Sequence, residues 1–259
     1  MAKAILYDAT KCTACRGCQS ACKQWNELEG ETTKNTGSYE NPADLSYRTW
    51  LKMRFAEVDN GGDLAWLFTR RSCMHCTDAG CVQVCPTKAV DKTDSGIVYI
   101  DREKCTGCGY CVEACPFDVP RLDGSSVTGK AKMFKCILCK DRVDNGLDPA
   151  CVKTCPPGAL AFGERDDMIA KGKARVAELG GDALLYGEDE LDGLHVMYVV
   201  NHPLEDHKLP VKPEVSPAVT LWQDILKPVG YGVVGVVAGG LLLNYIVARA
   251  RMVSQKEGK

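Results

Sequence analysis

Histidine is scarce: His75, His195, His202 and His207 are the only four in 259 residues. His75 lies inside a cysteine motif and His195 opens an apolar run, so these read as structural residues, and imidazole-centred acid-base chemistry has little to work with. No dinucleotide fingerprint stands in the strand-to-helix context that would give it meaning. A signal peptide is missing too, because MAKAILYDATKC carries Asp8 and a cysteine motif where an apolar core is needed. Neither a secretory nor a twin-arginine signal is expected, and export would depend on a partner. Large charge imbalance is also absent, with a formal net charge of −2, and no nucleic-acid role follows. No set of residues suggests catalysis.

Cysteine, by contrast, is plentiful and ordered. Sixteen cysteines in 259 residues are too sparse for a disulfide scaffold and fall into four groups of four. The third group, Cys105, Cys108, Cys111 and Cys115 in CTGCGYCVEACP, has the C-x2-C-x2-C-x3-C-P spacing of bacterial ferredoxins. Three of its thiolates hold one cluster and the fourth, ahead of proline, serves a neighbouring one. The first group, Cys12, Cys15, Cys18 and Cys22, has the same spacing. The second, Cys73, Cys76, Cys81 and Cys85, and the fourth, Cys136, Cys139, Cys151 and Cys155, are stretched versions. KCTACRGCQSAC matches KCTGCGYCVEAC, and CVQVCPTKA matches CVKTCPPGA, so the chain is internally duplicated. Four complete sets imply four 4Fe-4S clusters. A zinc-bearing scaffold is the alternative from a different class, but zinc sites pair C-x2-C knuckles and lack steps of three followed by a fourth cysteine.

Four loaded clusters would take the net charge to about −10, which makes nearby cations important. Lys11, Arg16, Lys23, Lys104, Lys135, Lys140, Arg142 and Lys153 lie close to cysteines in the sequence. Each reads either as a modulator of cluster potential or as a solvated surface charge.

Residues 4–8 predict a strand, and AVDKTDSGIVYID between Cys85 and Cys105 predicts a hairpin over the clusters. The cysteine-free insertion 23–72 holds Trp25, Trp50, Phe55, Trp66 and Phe68, which read mostly as core. Two strands are expected within it, from Thr49 and from Leu64, across an Asn60-Gly61-Gly62 turn. Met168, Val176 and Leu179 recur at helical spacing over 166–179, before Gly180. Residues 201–217 carry four prolines and read as an extended linker. Val229 to Ala248 then contains no charged residue, a length sufficient to cross a bilayer. Arg249, Arg251, Lys256 and Lys259 after the span outweigh Lys227 and Asp224 before it, which places the tail in the cytoplasm and the cluster body on the periplasmic side. Gly232, Gly235 and Gly239 share a helical face suited to a partner helix. The span has no His, Met or Cys, so any haem would belong to another subunit.

The short link from Cys85 to Cys105 favours pairing the second group with the third and nesting that unit inside the first and fourth. The link from Cys115 to Cys136 is also short, so spacing leaves the sequential pairing of first with second and third with fourth open. The expected fold class is α+β, with two nested ferredoxin-like two-cluster units and one C-terminal transmembrane helix. On the nested pairing, residues 1–72 with 126–200 would form the first unit and 73–125 the second, followed by a linker over 201–228, the span over 229–248 and a tail over 249–259.

These motifs, with ENPADLSYRTWLKMRFAE, CMHCTDAGC, KCILCKDRVDNGLDPACVKTCPPGALAFG, GLHVMYVVNHP and LWQDILKP, resemble the iron-sulfur (beta) subunit of membrane-bound respiratory formate dehydrogenases of the N and O types, nearly end to end. The resemblance implies a non-catalytic electron carrier. Its catalytic alpha partner would hold a molybdenum or tungsten pterin and supply the twin-arginine signal. A gamma partner with haem b would pass electrons to quinone. It also implies the nested pairing: Cys12, Cys15, Cys18 and Cys155; Cys22, Cys136, Cys139 and Cys151; Cys73, Cys76, Cys81 and Cys115; Cys85, Cys105, Cys108 and Cys111. Related nitrate reductase subunits carry tryptophan where this chain has Cys108, and with it a 3Fe-4S cluster, so Cys108 implies a full set of 4Fe-4S clusters. The 11 residues before Cys12 are a departure from the family's longer arm. The equivalent subunit of a hydrogenase or of a polysulfide or sulfoxide reductase is the alternative within the same class.

Overall fold

The computed structural model describes all residues except Thr36, Asn60, Gly129, 222–224, Gly258 and Lys259. Asn60 of the expected turn, Asp224 before the span, Lys259 of the tail and the middle of the LWQDILKP run therefore lie outside the described residues. The chain divides into a body, Met1–Val215, and a C-terminal unit, Ser216–Lys259.

Strand β1 (Lys3–Asp8) leads into the first cysteine group, whose helix α1 spans Gly17–Trp25. The insertion forms a hairpin of β2 (Lys52–Asp59) and β3 (Leu64–Arg71). The next segment carries helix α2 (Gly80–Gln83), hairpin strands β4 (Val90–Lys92) and β5 (Val98–Ile100), and helix α3 (Tyr110–Glu113). Short strands β6 (Arg121–Leu122) and β7 (Met133–Phe134) close it. Helices α4 (Lys140–Asp144) and α5 (Ala150–Lys153) bear the fourth group. Strand β8 (Leu160–Glu164), helix α6 (Arg165–Leu179) and strands β9 (Leu184–Tyr186) and β10 (Val196–Val200) complete the body.

The main sheet has the order β8-β1-β10-β9, with β1 parallel to β10. Its central strands are apolar on both faces, and the period of two sorts their side chains. Ala4, Leu6, Met197 and Val199 face α6 together with Met168, while Ile5, Tyr7, Val196, Tyr198 and Val200 join the core that contains the cysteines. Each large apolar side chain so withdrawn from water contributes roughly 2 kcal/mol. Two tyrosines tie the insertion hairpin to this face: Tyr7 donates to the Phe68 carbonyl and Tyr198 to the Arg70 carbonyl, both at 2.7 Å.

Of the insertion's aromatics, Trp50 is buried and Phe55 and Phe68 are half-buried, whereas Trp25 and Trp66 are exposed. The strand expected from Thr49 begins at Lys52. The stretch expected as a linker lies against the body as far as Val215. Leu209 and His207 are buried, Tyr186 donates to the Pro210 carbonyl at 2.8 Å and Arg54 to the Lys208 carbonyl at 2.9 Å. Long-range contacts hold a segment that has no periodicity of its own.

The C-terminal unit contains helices α7 (Pro217–Leu221) and α8 (Lys227–Glu257). Within α8, Pro228–Arg249 is long and apolar enough to cross a membrane. Its 22 residues rise about 33 Å, close to the thickness of a hydrocarbon core.

Candidate metal centres

Each compact cysteine turn bends through left-handed backbone. Ala14 and Arg16 in the first group, Gly107 and Gly109 in the third, and Leu138 and Cys139 in the fourth have positive φ. The turn aims an amide at the opening sulfur: Ala14 N–H donates to Cys12 Sγ, Gly107 to Cys105 and Leu138 to Cys136, each at 3.4 Å. At Gly107, φ is +67° and an added Cβ would stand 2.1 Å from the Ala131 carbonyl oxygen, so glycine is required. The Cys-Pro turns repeat as well: Lys88, Asp118 and Gly158 donate back to the carbonyls of Cys85, Cys115 and Cys155 at 3.3, 3.0 and 3.2 Å, all with positive φ. Cys22 is followed by lysine, not proline, and there α1 runs on to Trp25.

These turns bring cysteines together across the chain. Helix α1 packs against α5, and α2 against α3. Cys85, Cys105, Cys108 and Cys111 line one cavity, and Cys73, Cys76, Cys81 and Cys115 another. Burial, then the like charge of Cys136, Cys151 and Cys139, pushes the Cys22 thiol well up. Burial also raises Cys12, opposed by the Tyr7 hydroxyl and the Ala14 amide and reinforced by Cys155 and Cys15. Further electrostatic neighbours are Cys151 for Cys18, Cys73 for Cys136 and Cys111 for Cys81. Cys15 and Cys108 are exposed.

The donor chemistry fits iron-sulfur clusters. Among the described residues no three His, Cys, Asp or Glu side chains converge as they would around a single ion. Eight of the thiols instead ring two cavities, four to each, as ligands at separate irons of one cluster do. Two buried donors beside them have no partner among the described residues: Arg70 Nε and His75 Nε2. Val98 N–H donates to His75 Nδ1 at 3.0 Å, which leaves the ring proton on Nε2. Cluster sulfides are acceptors of the kind these donors lack.

Of the eight cations near cysteines in sequence, only Lys135 is fully buried; Lys104 pairs with Asp101 and Lys140 with Asp144 near the surface. Sequence reasoning missed Arg70, also fully buried. The signal available was strand alternation, which puts Arg70 on the β3 face of Phe68.

Burial pushes Cys18 up to about 12 and also raises Cys81 and Cys136, so in the metal-free chain these thiols, which neighbour Arg70 or Lys135, are protonated. Arg70 and Lys135 would then lack counter-charge, a cost of about 3–5 kcal/mol for each unpaired buried ion. Anaerobic removal of iron is therefore expected to unfold the body, read as lost amide-exchange protection in β1 and β10. Protection retained in the metal-free chain would contradict this.

Thiols ringed on left-handed turns, duplicated along the chain and followed by an apolar C-terminal helix, define a membrane-anchored iron-sulfur protein of the ferredoxin type. Residues 64–165 match the family model of the 4Fe-4S dicluster domain, and 215–257 match that of the formate dehydrogenase N transmembrane segment. The chain is 41% identical over 251 residues to the iron-sulfur subunit of the nitrate-inducible formate dehydrogenase of Escherichia coli K12, covering 94% of this chain and 84% of the relative. It is 46% identical over 233 residues to the formate dehydrogenase-O iron-sulfur subunit of the same organism, covering 87% and 76%. The formate dehydrogenase iron-sulfur subunit of Haemophilus influenzae is 41% identical over 249 residues, covering 93% and 77%.

The chain belongs to the family of formate dehydrogenase iron-sulfur subunits. It is the electron-transfer subunit, not the catalytic one, of an oxidoreductase complex with catalytic and membrane subunits. Its cofactors are 4Fe-4S clusters, and its sixteen cysteines fit four of them.

Proposed function

We propose that the chain is a four-cluster wire in a formate dehydrogenase that passes electrons from formate to quinone. The first cluster is held by Cys12, Cys15, Cys18 and Cys155, and the second by Cys22, Cys136, Cys139 and Cys151. Cys73, Cys76, Cys81 and Cys115 hold the third, and Cys85, Cys105, Cys108 and Cys111 the fourth. The packing of α1 on α5 and of α2 on α3 carries this reading, because each helix pair brings the group of one end to its nested partner. The first unit is then 1–72 with 126–200, and the second, nested unit is 73–125.

Electrons enter from a catalytic subunit bearing a molybdenum or tungsten pterin and leave to a cytochrome b subunit in the membrane. Single electrons are stored as iron valence, and this chain's own part is to hold, insulate and electrostatically bias the clusters. The body lies on the periplasmic face and the tail in the cytoplasm, which the excess of Arg and Lys after the span supports. The face of Gly232, Gly235 and Gly239, where an added Cβ would meet nothing within 4 Å, supports close packing with a helix of the membrane subunit.

The test is anaerobic purification from detergent-solubilised membranes through a tag on this chain, with iron content and formate-dependent dye reduction measured together. Formate activity with about sixteen irons from this chain, beyond those of its partners, is the expected result. Zinc in place of iron, or full iron without formate activity, would overturn the reading.

A further inference from the structure

The body buries two full positive charges that no carboxylate neutralises. Arg70 and Lys135 are each 1% exposed, and among the described residues neither forms an ion pair with Asp or Glu. Arg70 donates to the Ser72 hydroxyl, and its Nη2 lies 3.9 Å from Cys151 Sγ. Lys135 donates to the Val98 and Cys136 carbonyls, the latter at 3.0 Å, and lines the cavity ringed by Cys73, Cys76, Cys81 and Cys115. Uncompensated charge is not tolerated in a packed interior, so each cation needs an anion within reach. Among the described residues, the acidic groups acting on them are cysteine thiols and, for Arg70, the Tyr198 hydroxyl.

Position is the second observation. Arg70 lies 3.9 Å from Cys151 Sγ of the second set and also feels Tyr198, Cys136 of the second set and Cys18 of the first. Lys135 is in contact with Cys136 of the second set and with Cys73 and Cys81 of the third. Each cation thus stands between two successive sets. The fourth set differs: its cavity is lined, among the described residues, by no cation, and only the half-buried Lys132 reaches it, through the Cys105 carbonyl.

Resting on the four-cluster reading above, we propose that Arg70 and Lys135 are charge-positioning residues, Arg70 between the first and second clusters and Lys135 between the second and third. A cluster that gains an electron becomes more negative by one unit, so a fixed neighbouring cation favours the reduced form and raises the potential. A cation shared by two clusters also offsets the repulsion an electron on one exerts on the next. The pair thereby holds three clusters at potentials between which an electron moves readily, and leaves the fourth under separate control.

The test uses the intact complex, with each cluster's midpoint potential obtained by redox titration followed by electron paramagnetic resonance and iron counted in the same samples. Lys135→Met is expected to lower the potentials of the second and third clusters, and Arg70→Gln those of the first and second, with the fourth unmoved in both. Lys135→Arg and Arg70→Lys, which keep the charge, are expected to restore the wild-type values, as a purely steric role would not. If a neutral variant assembles short of iron, the loss must fall on the two clusters flanking the substituted residue. Full iron with unmoved potentials, a uniform shift of all four, or loss from the fourth set would overturn the proposal. Wild-type complex with fewer than four clusters in this chain would instead overturn the cluster reading itself.

Discussion

Cys22→Ser and Cys136→Ser are expected to extinguish the same cluster signal, and Cys22→Ser and Cys12→Ser different ones, although Cys22 and Cys12 share a motif. Each variant loses up to about four irons per chain, or keeps a damaged cluster with a displaced signal. The reason is geometric. Helix α1 carries Cys18 on its first turn and Cys22 on its second; both thiols neighbour Cys151, but Cys22 also faces Cys136 and Cys139, whereas Cys18 also faces Cys12 and Cys155. The side chains around them enforce the same arrangement, since Trp25 Nε1 donates to Asp141 at 2.9 Å and Arg142 stacks on the Trp25 ring at 4.3 Å. A sequential pairing would place Cys22 with Cys73, Cys76 and Cys81, and would make Cys22→Ser and Cys73→Ser equivalent. The spectra of these four variants separate the two arrangements, and matching spectra for Cys22→Ser and Cys73→Ser would contradict the nested one.

Ending the chain after Val215 is expected to spare formate-to-dye turnover and iron content while lowering formate-to-quinone turnover in purified complex by on the order of a hundredfold, as loss of a second tether to the same partner does. The body's core, with its main sheet and all sixteen cysteines, is complete by Val215, and the chain beyond it forms a separate unit. The described side chains of the span are exposed. Quinone turnover unchanged by the truncation would show that the helix is dispensable for coupling to the membrane subunit.

Much of this was readable from residue patterns because the signals are local. The C-x2-C turns announce left-handed backbone and metal-directed sulfur, the Asp94-Ser95-Gly96 turn announces the β4-β5 hairpin, and Met168, Val176 and Leu179 mark the inner face of α6. Two features were not readable, both for want of a local cause. Residues 201–215 look like a linker because proline breaks every period, yet Leu209 and Pro210 are held by Tyr186 and neighbours remote in sequence. Arg70 looks like half of a surface Arg-Arg pair, whereas Arg71 alone reaches the carboxylates of Asp44 and Asp118. Arg70 turns inward beside Cys151, a neighbour 81 residues away that no local pattern spells.

Iron-edge anomalous scattering from crystals of the intact complex is the most direct measurement of where the metal sits. Four separate iron maxima are expected in this chain, ordered so that Arg70 stands between the first and second and Lys135 between the second and third. The outermost maxima should lie beside the exposed cysteines Cys15 and Cys108. Fewer than four maxima, or one maximum shared by Cys22 and Cys73, would contradict a nested four-cluster wire.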